Sequence, residues 1–79
     1  MKPIWIVDDD QSIRWVLEKA LARENFPTRS FANVREALAA LERESPQVLV
    51  SDIRMPGASG LELLQAIRER LPELPVIIM

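Results

Sequence analysis

The sequence contains no cysteine and no histidine. The first absence excludes disulfides and thiolate metal sites. The second removes the usual general base and the usual zinc ligand. Serine-hydrolase, thiol and histidine-dependent zinc chemistry therefore have no support. No apolar run reaches the length that crosses a bilayer, and the N-terminus lacks the basic, apolar and small-residue regions of a signal peptide. A cytoplasmic protein with no membrane partner is the default expectation. The net charge of -2 leaves no basic excess for nucleic acid. No basic patch accompanies Trp5 or Trp15, so base stacking is not expected of either. The length of 79 residues argues for one domain or less, and 48% apolar residues suffice for a core.

What is present is aspartate in two places. All four aspartates, Asp8, Asp9, Asp10 and Asp52, fall in two short segments, while the remaining acids are glutamates. Helix propensity explains part of that segregation, because aspartate is the poorer helix former. It does not explain why "IVDDD" ends an apolar run on three like charges. Stacked carboxylates destabilise a fold unless water, hydrogen bonds or a cation offsets them.

Hydrophobic periodicity orders the rest of the chain. Residues 3–8, "PIWIVD", read as a strand covered on both faces. Over 11–24 the period changes to helical, with Ile13, Val16, Leu17, Ala20 and Leu21 as the apolar stripe. Arg14, Glu18 and Lys19 fall largely off that stripe; Arg14 either meets a neighbouring carboxylate or solvates the helix surface, and is read as solvating it. Phe26 to Phe31 forms a second, weaker strand. Asn33 followed by Glu36 matches a capping box ahead of a helix over 34–44, with Val34, Ala37, Leu38 and Leu41 inward. "QVLVSD" is a third strand ending on Asp52. After the loop "IRMPGAS", Ser59 and Glu62 repeat the capping pattern, and Leu61, Leu64, Ile67 and Leu71 mark a third helix. Pro72 and Pro75 bracket a turn before a fourth strand, "VIIM". The order β-α-β-α-β-α-β implies parallel strands with right-handed crossovers.

Ligands of an open parallel sheet gather at the C-terminal ends of its strands. Asp8 and Asp52 each end an apolar strand. With strands one and three adjacent, Asp8, Asp9 and Asp52 would converge into an oxygen-only site suited to a hard divalent cation, magnesium first. Strand-end aspartates also form turns and caps. Asp10 leaves two roles open, a cap on helix one or an outer participant. Magnesium with carboxylates supports phosphoryl transfer, and an aspartate can itself be the nucleophile. Asp52 is the candidate.

"IWIVDDDQSIRWVLEKAL" at 4–21, "VLVSDIRMPGASGLELL" at 48–64 and "LPVIIM" at 74–79 together resemble the receiver domain of bacterial two-component response regulators. Within that family the resemblance is to the NtrC-type nitrogen-regulation activators. It implies an open parallel α/β sheet with flanking helices in the CheY-like (flavodoxin-like) order. It implies Asp52 as phospho-acceptor and Mg2+ held by Asp8, Asp9, Asp52 and the backbone carbonyl of Arg54. Asp9 would ligate directly and Asp8 through water. Pro56 and Gly57 would shape the loop after the acceptor, Met55 would pack it, and Gly60 would begin helix three. Ser59 stands where the family often has aspartate, a change between two capping residue types. The implied partners are a sensor histidine kinase and attached ATPase and DNA-binding modules. The chain itself would not contact nucleic acid. The activity implied is Mg-dependent self-phosphorylation and dephosphorylation rather than conventional enzymology.

Receivers of this kind continue past a fourth strand to a serine or threonine, a lysine and two further helices. Residues 1–79 are therefore expected to be a partial receiver domain, truncated after the fourth strand, whose exposed fourth strand and sheet face invite homo-oligomers. Two other readings stand beside this one. A magnesium phosphatase of the haloacid-dehalogenase type wants a second aspartate two positions after the nucleophile, and Arg54 occupies that place. A folding or interaction fragment without competent phosphotransfer is the serious alternative.

Overall fold

A computed structural model describes residues 1–52 and 60–79. The elements follow the expected order: β1 (Ile4–Val7), α1 (Gln11–Arg23), β2 (Thr28–Phe31), α2 (Val34–Leu41), β3 (Val48–Ser51), α3 (Gly60–Arg70) and β4 (Val76–Ile78). The strands form one parallel sheet in the order β2-β1-β3-β4. β1 sits inside that sheet, which is why its four residues are all buried and read as an unbroken apolar run.

Register sorts the side chains into two layers. Trp5 pairs with Leu49 and Val7 with Ser51, so these side chains share one face. Trp5, Val7 and Leu49 pack there with Phe31, with Val34, Ala37 and Ala40 of α2, and with Leu63 and Ile67 of α3. Trp5 and Phe31 meet edge to face at a centroid distance of 4.9 Å. Alternation turns Ile4, Ile6, Val48 and Val50 to the opposite face, against which α1 lies.

Two helices have a different inward face from the one expected. In α3 the buried residues are Leu63 and Ile67, while Leu61 is 56% exposed. Residues 63 and 67 are four apart, one turn on the same stripe, and Leu71 and Leu64 flank them partly buried. In α1 no residue is buried: Ile13, Val16 and Ala20 are exposed, and only Leu17 and Leu21 of the expected stripe are partly covered. That helix packs against β2 and β1 at one side of the sheet, so half its apolar face overhangs. The same face carries Ile77, which pairs with Val50 and is 53% exposed.

The ends of elements are set by local hydrogen bonding. α1 stops in a Schellman motif: Phe26 N–H donates to Leu21 O and Asn25 N–H to Ala22 O, each at 3.0 Å. Asn25 takes φ 64°, a left-handed conformation that asparagine tolerates. Because Phe26 and Pro27 complete that turn, β2 begins at Thr28 rather than at Phe26. α2 is shorter than the expected 34–44, and Arg43 and Glu44 bond back to Ala40 O in a closing turn. Its N-terminus is capped as expected, with Asn33 Oδ1 accepting from Glu36 N–H at 2.9 Å. The Glu36 carboxylate reaches back to Ala32 N–H rather than to the cap residue itself. The expected Ser59 cap of α3 lies outside the described residues.

Candidate metal centre

The two aspartate segments meet at the C-terminal edge of the sheet, where β1 and β3 are neighbours. The ladder continues one residue past each strand. Asp8 N–H donates to Phe31 O at 3.1 Å, and Asp52 N–H donates to Val7 O at 2.9 Å. Both backbones are thereby fixed before either carboxylate is considered. Carboxylate oxygens of Asp8, Asp9 and Asp52 all lie within 4.8 Å of one another. Asp8 is buried at 4% exposure, Asp52 is half-buried and Asp9 is exposed.

Burial pushes the Asp8 carboxyl above its ordinary value, and the charges of Asp52, Asp9 and Asp10 push it further; a hydrogen bond from Asp10 N–H opposes them. That bond, to Asp8 Oδ1, is 2.9 Å long. The arrangement is a cluster of like charge held together by the sheet at an electrostatic cost. Its donors are all oxygen and its charge is negative, which fits a hard divalent cation and no soft metal.

Asp10 stands apart from that trio. Its Oδ1 accepts from Ser12 N–H at 2.8 Å and Ile13 N–H at 3.3 Å, capping α1. Gly60 opens α3, as expected. The Arg54 carbonyl, Met55, Pro56 and Gly57 lie outside the described residues.

Sequence reasoning missed two supporting groups. Arg14, read as a solvated surface residue, is half-buried, and its Nη1 donates to the Asp8 carbonyl at 2.5 Å. Ser51 is fully buried beside Asp52, and its hydroxyl donates to the Asp52 carbonyl at 3.0 Å. The signal for Ser51 was available: a hydroxyl ending the apolar run "VLVS" requires a partner. For Arg14 the sequence leaves a polar partner open beside solvation, and the partner is the Asp8 backbone carbonyl rather than a carboxylate because of how α1 leaves the capped turn. Trp15 is 56% exposed on the same helix with the Lys19 ammonium 4.5 Å from its ring centroid.

Comparison with known proteins agrees with this geometry. Residues 4–79 match the family model "Response regulator receiver domain". The DNA-binding transcriptional regulator NtrC of Salmonella typhimurium is 59% identical over 76 residues, covering 96% of this chain and 16% of that protein. The beryllofluoride-activated NtrC receiver domain superposes with a TM-score of 0.84 at 57% identity, covering all of this chain and 64% of that one. The response regulator TrrA of Thermotoga maritima, solved with Mg2+ and BeF, gives a TM-score of 0.93 at 35% identity over 99% of this chain and 68% of that one. TrrA has also been solved with the histidine kinase ThkA, and there gives a TM-score of 0.91 at 35% identity, covering 99% of this chain and 67% of that one. This chain spans 16% of the length of the curated NtrC relatives it matches. Matched along nearly its whole length, and sharing its sheet order with receivers of known structure, the chain belongs to the response regulator receiver domain family, on the NtrC side of it.

Proposed function

We propose that Asp52 accepts a phosphoryl group from the phosphohistidine of a sensor kinase, with Mg2+ held by Asp8, Asp9 and Asp52. The convergence of three carboxylates within 4.8 Å at the ends of β1 and β3 carries this reading. When bound, Mg2+ offsets charge on the phosphoryl oxygens. An Asp52 carboxylate oxygen attacks phosphorus in line, forming the P–O bond as the P–N bond to imidazole breaks. The electron pair stays on the imidazole nitrogen, which then takes a proton from solvent. Asp9, exposed, would ligate the ion directly, and Asp8, buried, would act through water. By the family resemblance, the Arg54 backbone carbonyl would complete the protein ligands, and Pro56 and Gly57 would serve the loop after the acceptor. Hydrolysis of the acyl phosphate restores the Asp52 carboxylate.

The phosphoryl group adds charge and strong acceptors in one pocket, which biases a two-state surface. In a parent protein of the NtrC kind, that surface governs attached ATPase and DNA-binding modules. Support comes from NtrC's description as a DNA-binding transcriptional regulator and from the TrrA–ThkA complex.

Acetyl phosphate with Mg2+, followed by intact mass, tests the acceptor in this chain and in a longer receiver of its parent. The expected result is one phosphoryl adduct that disappears in Asp52→Asn. Adduct surviving that substitution moves the acceptor elsewhere. Adduct confined to the longer receiver supports the signalling role and denies it to residues 1–79.

The edge of β4 favours a second reading, an association fragment. Ile77 and Ile78 are 53% and 36% exposed on an edge strand. Sedimentation over a concentration series distinguishes the two: a sharply monomeric, cooperatively folding species removes the association reading.

A further inference from the structure

We infer that Arg14 is a positioning residue for the acidic centre, an inference that rests on the metal reading above. The first turn of α1 grips Asp8 at two atoms. Asp10 N–H donates to Asp8 Oδ1 at 2.9 Å, and the Arg14 guanidinium donates to Asp8 O at 2.5 Å. The loop closes through α1 itself, because Arg14 N–H donates to Asp10 O at 3.1 Å. Asp8, Asp10 and Arg14 thus form one ring of hydrogen bonds around the strand-to-helix turn.

The Asp8 carbonyl belongs to the peptide unit that joins Asp8 to Asp9. β1 ends at Val7, so that unit lies beyond the strand. Fixing its plane fixes the two Cα atoms from which the Asp8 and Asp9 side chains leave. A guanidinium suits the task, being always charged, planar and a donor in several directions. Asp10 secures the other side by capping the helix that carries Arg14. Capping, the charge cluster and the guanidinium are therefore coupled.

Charge and position make opposite demands, and this separates the roles. A positive side chain beside a cation site opposes cation binding by Coulomb's law. If charge alone mattered, removing Arg14 would tighten the site. If Arg14 positions the two aspartates, removal loosens it, because supporting partners of ligands typically contribute on the order of 10–100-fold in metal affinity.

Calorimetric titration with Mg2+ alone tests the assignment on the 79-residue chain. Arg14→Gln, confirmed folded by circular dichroism, is expected to bind about tenfold more weakly than wild type. Arg14→Lys keeps the charge without the planar fork and is expected to fall between the two. Asn25→Val, which strains the far end of α1, controls for general loss of stability and should retain wild-type affinity. Unchanged or tighter binding in Arg14→Gln overturns the inference, as does an equal loss in Asn25→Val. Should Arg14→Gln not fold, Arg14→Lys decides: weaker binding supports positioning, and wild-type affinity overturns it. Wild type that ignores Mg2+, or Asp9→Asn that binds like wild type, overturns the metal reading and this inference together. Loss in Asp9→Asn with none in either Arg14 variant overturns this inference alone.

Discussion

Asp52 donates its backbone N–H to the carbonyl of Val7, the residue that precedes Asp8. One ladder bond therefore brings two sequence segments, forty-odd residues apart, into a single acidic centre. The strain of that centre is electrostatic, and it can be measured.

Asp8 gives the pH dependence. Its carboxyl titrates above 3.8 in the fold because burial and neighbouring charges disfavour ionisation. The unfolded chain ionises more readily, so ionised Asp8 destabilises the metal-free fold at neutral pH. As pH falls through the raised value toward 3.8, the folded form takes up the proton first and stability is gained. Asp8→Asn keeps an oxygen acceptor for Asp10 N–H and removes the charge. In EDTA the variant should exceed wild type in urea midpoint at pH 7, with the gap narrowing as pH drops. A gap independent of pH would contradict the electrostatic account.

Cation binding should reverse the same penalty. Mg2+ at about 100 times its dissociation constant should stabilise wild type by roughly 2.7 kcal/mol. Thermal melts with and without Mg2+ check this. Asp9→Asn and Asp52→Asn should each lose most of the Mg2+-dependent shift.

The inward face of α3 is also open to test. Leu63→Ala removes a fully buried side chain and should destabilise by about 2–5 kcal/mol. Leu61→Ala, at an exposed position, should change stability by less than about 0.5 kcal/mol. Urea unfolding of the pair assigns the buried stripe, and equal effects would contradict the packing described.

Asn25 reports on the end of α1. At φ 64° glycine is free of the side-chain penalty that asparagine carries, so Asn25→Gly should be neutral or slightly stabilising. Asn25→Val places a β-branched residue in the left-handed region and should cost about 1–2 kcal/mol. Chemical denaturation compares them.

Element order, strand direction and the convergence of Asp8, Asp9 and Asp52 were legible in the sequence because each rests on a local pattern plus one topological rule. The phase of α3 was not. Leu61, Leu63, Leu64, Ile67 and Leu71 offer apolar stripes on adjacent faces, and only docking against Trp5, Val7 and Leu49 selects Leu63 with Ile67. α1 misled for the opposite reason: Ile13 and Val16 are apolar at helical spacing yet overhang the sheet. The start of β2 was obscured by Asn25-Phe26-Pro27, whose asparagine and proline are the marks of a Schellman ending. Asp10 could be resolved only by its bonds to Ser12 and Ile13.

The contrast between the two tryptophans has a practical consequence. Trp5 is sealed in the core, whereas Trp15 stands 56% exposed beside Lys19, one helix position beyond Arg14. Their fluorescence is therefore divisible by quencher. Acrylamide reaches Trp15 in the native state and reaches Trp5 only on unfolding. A single-tryptophan pair, Trp5→Phe and Trp15→Phe, turns one protein into two optical instruments, one for the exposed surface of α1 and one for the integrity of the sheet beneath it.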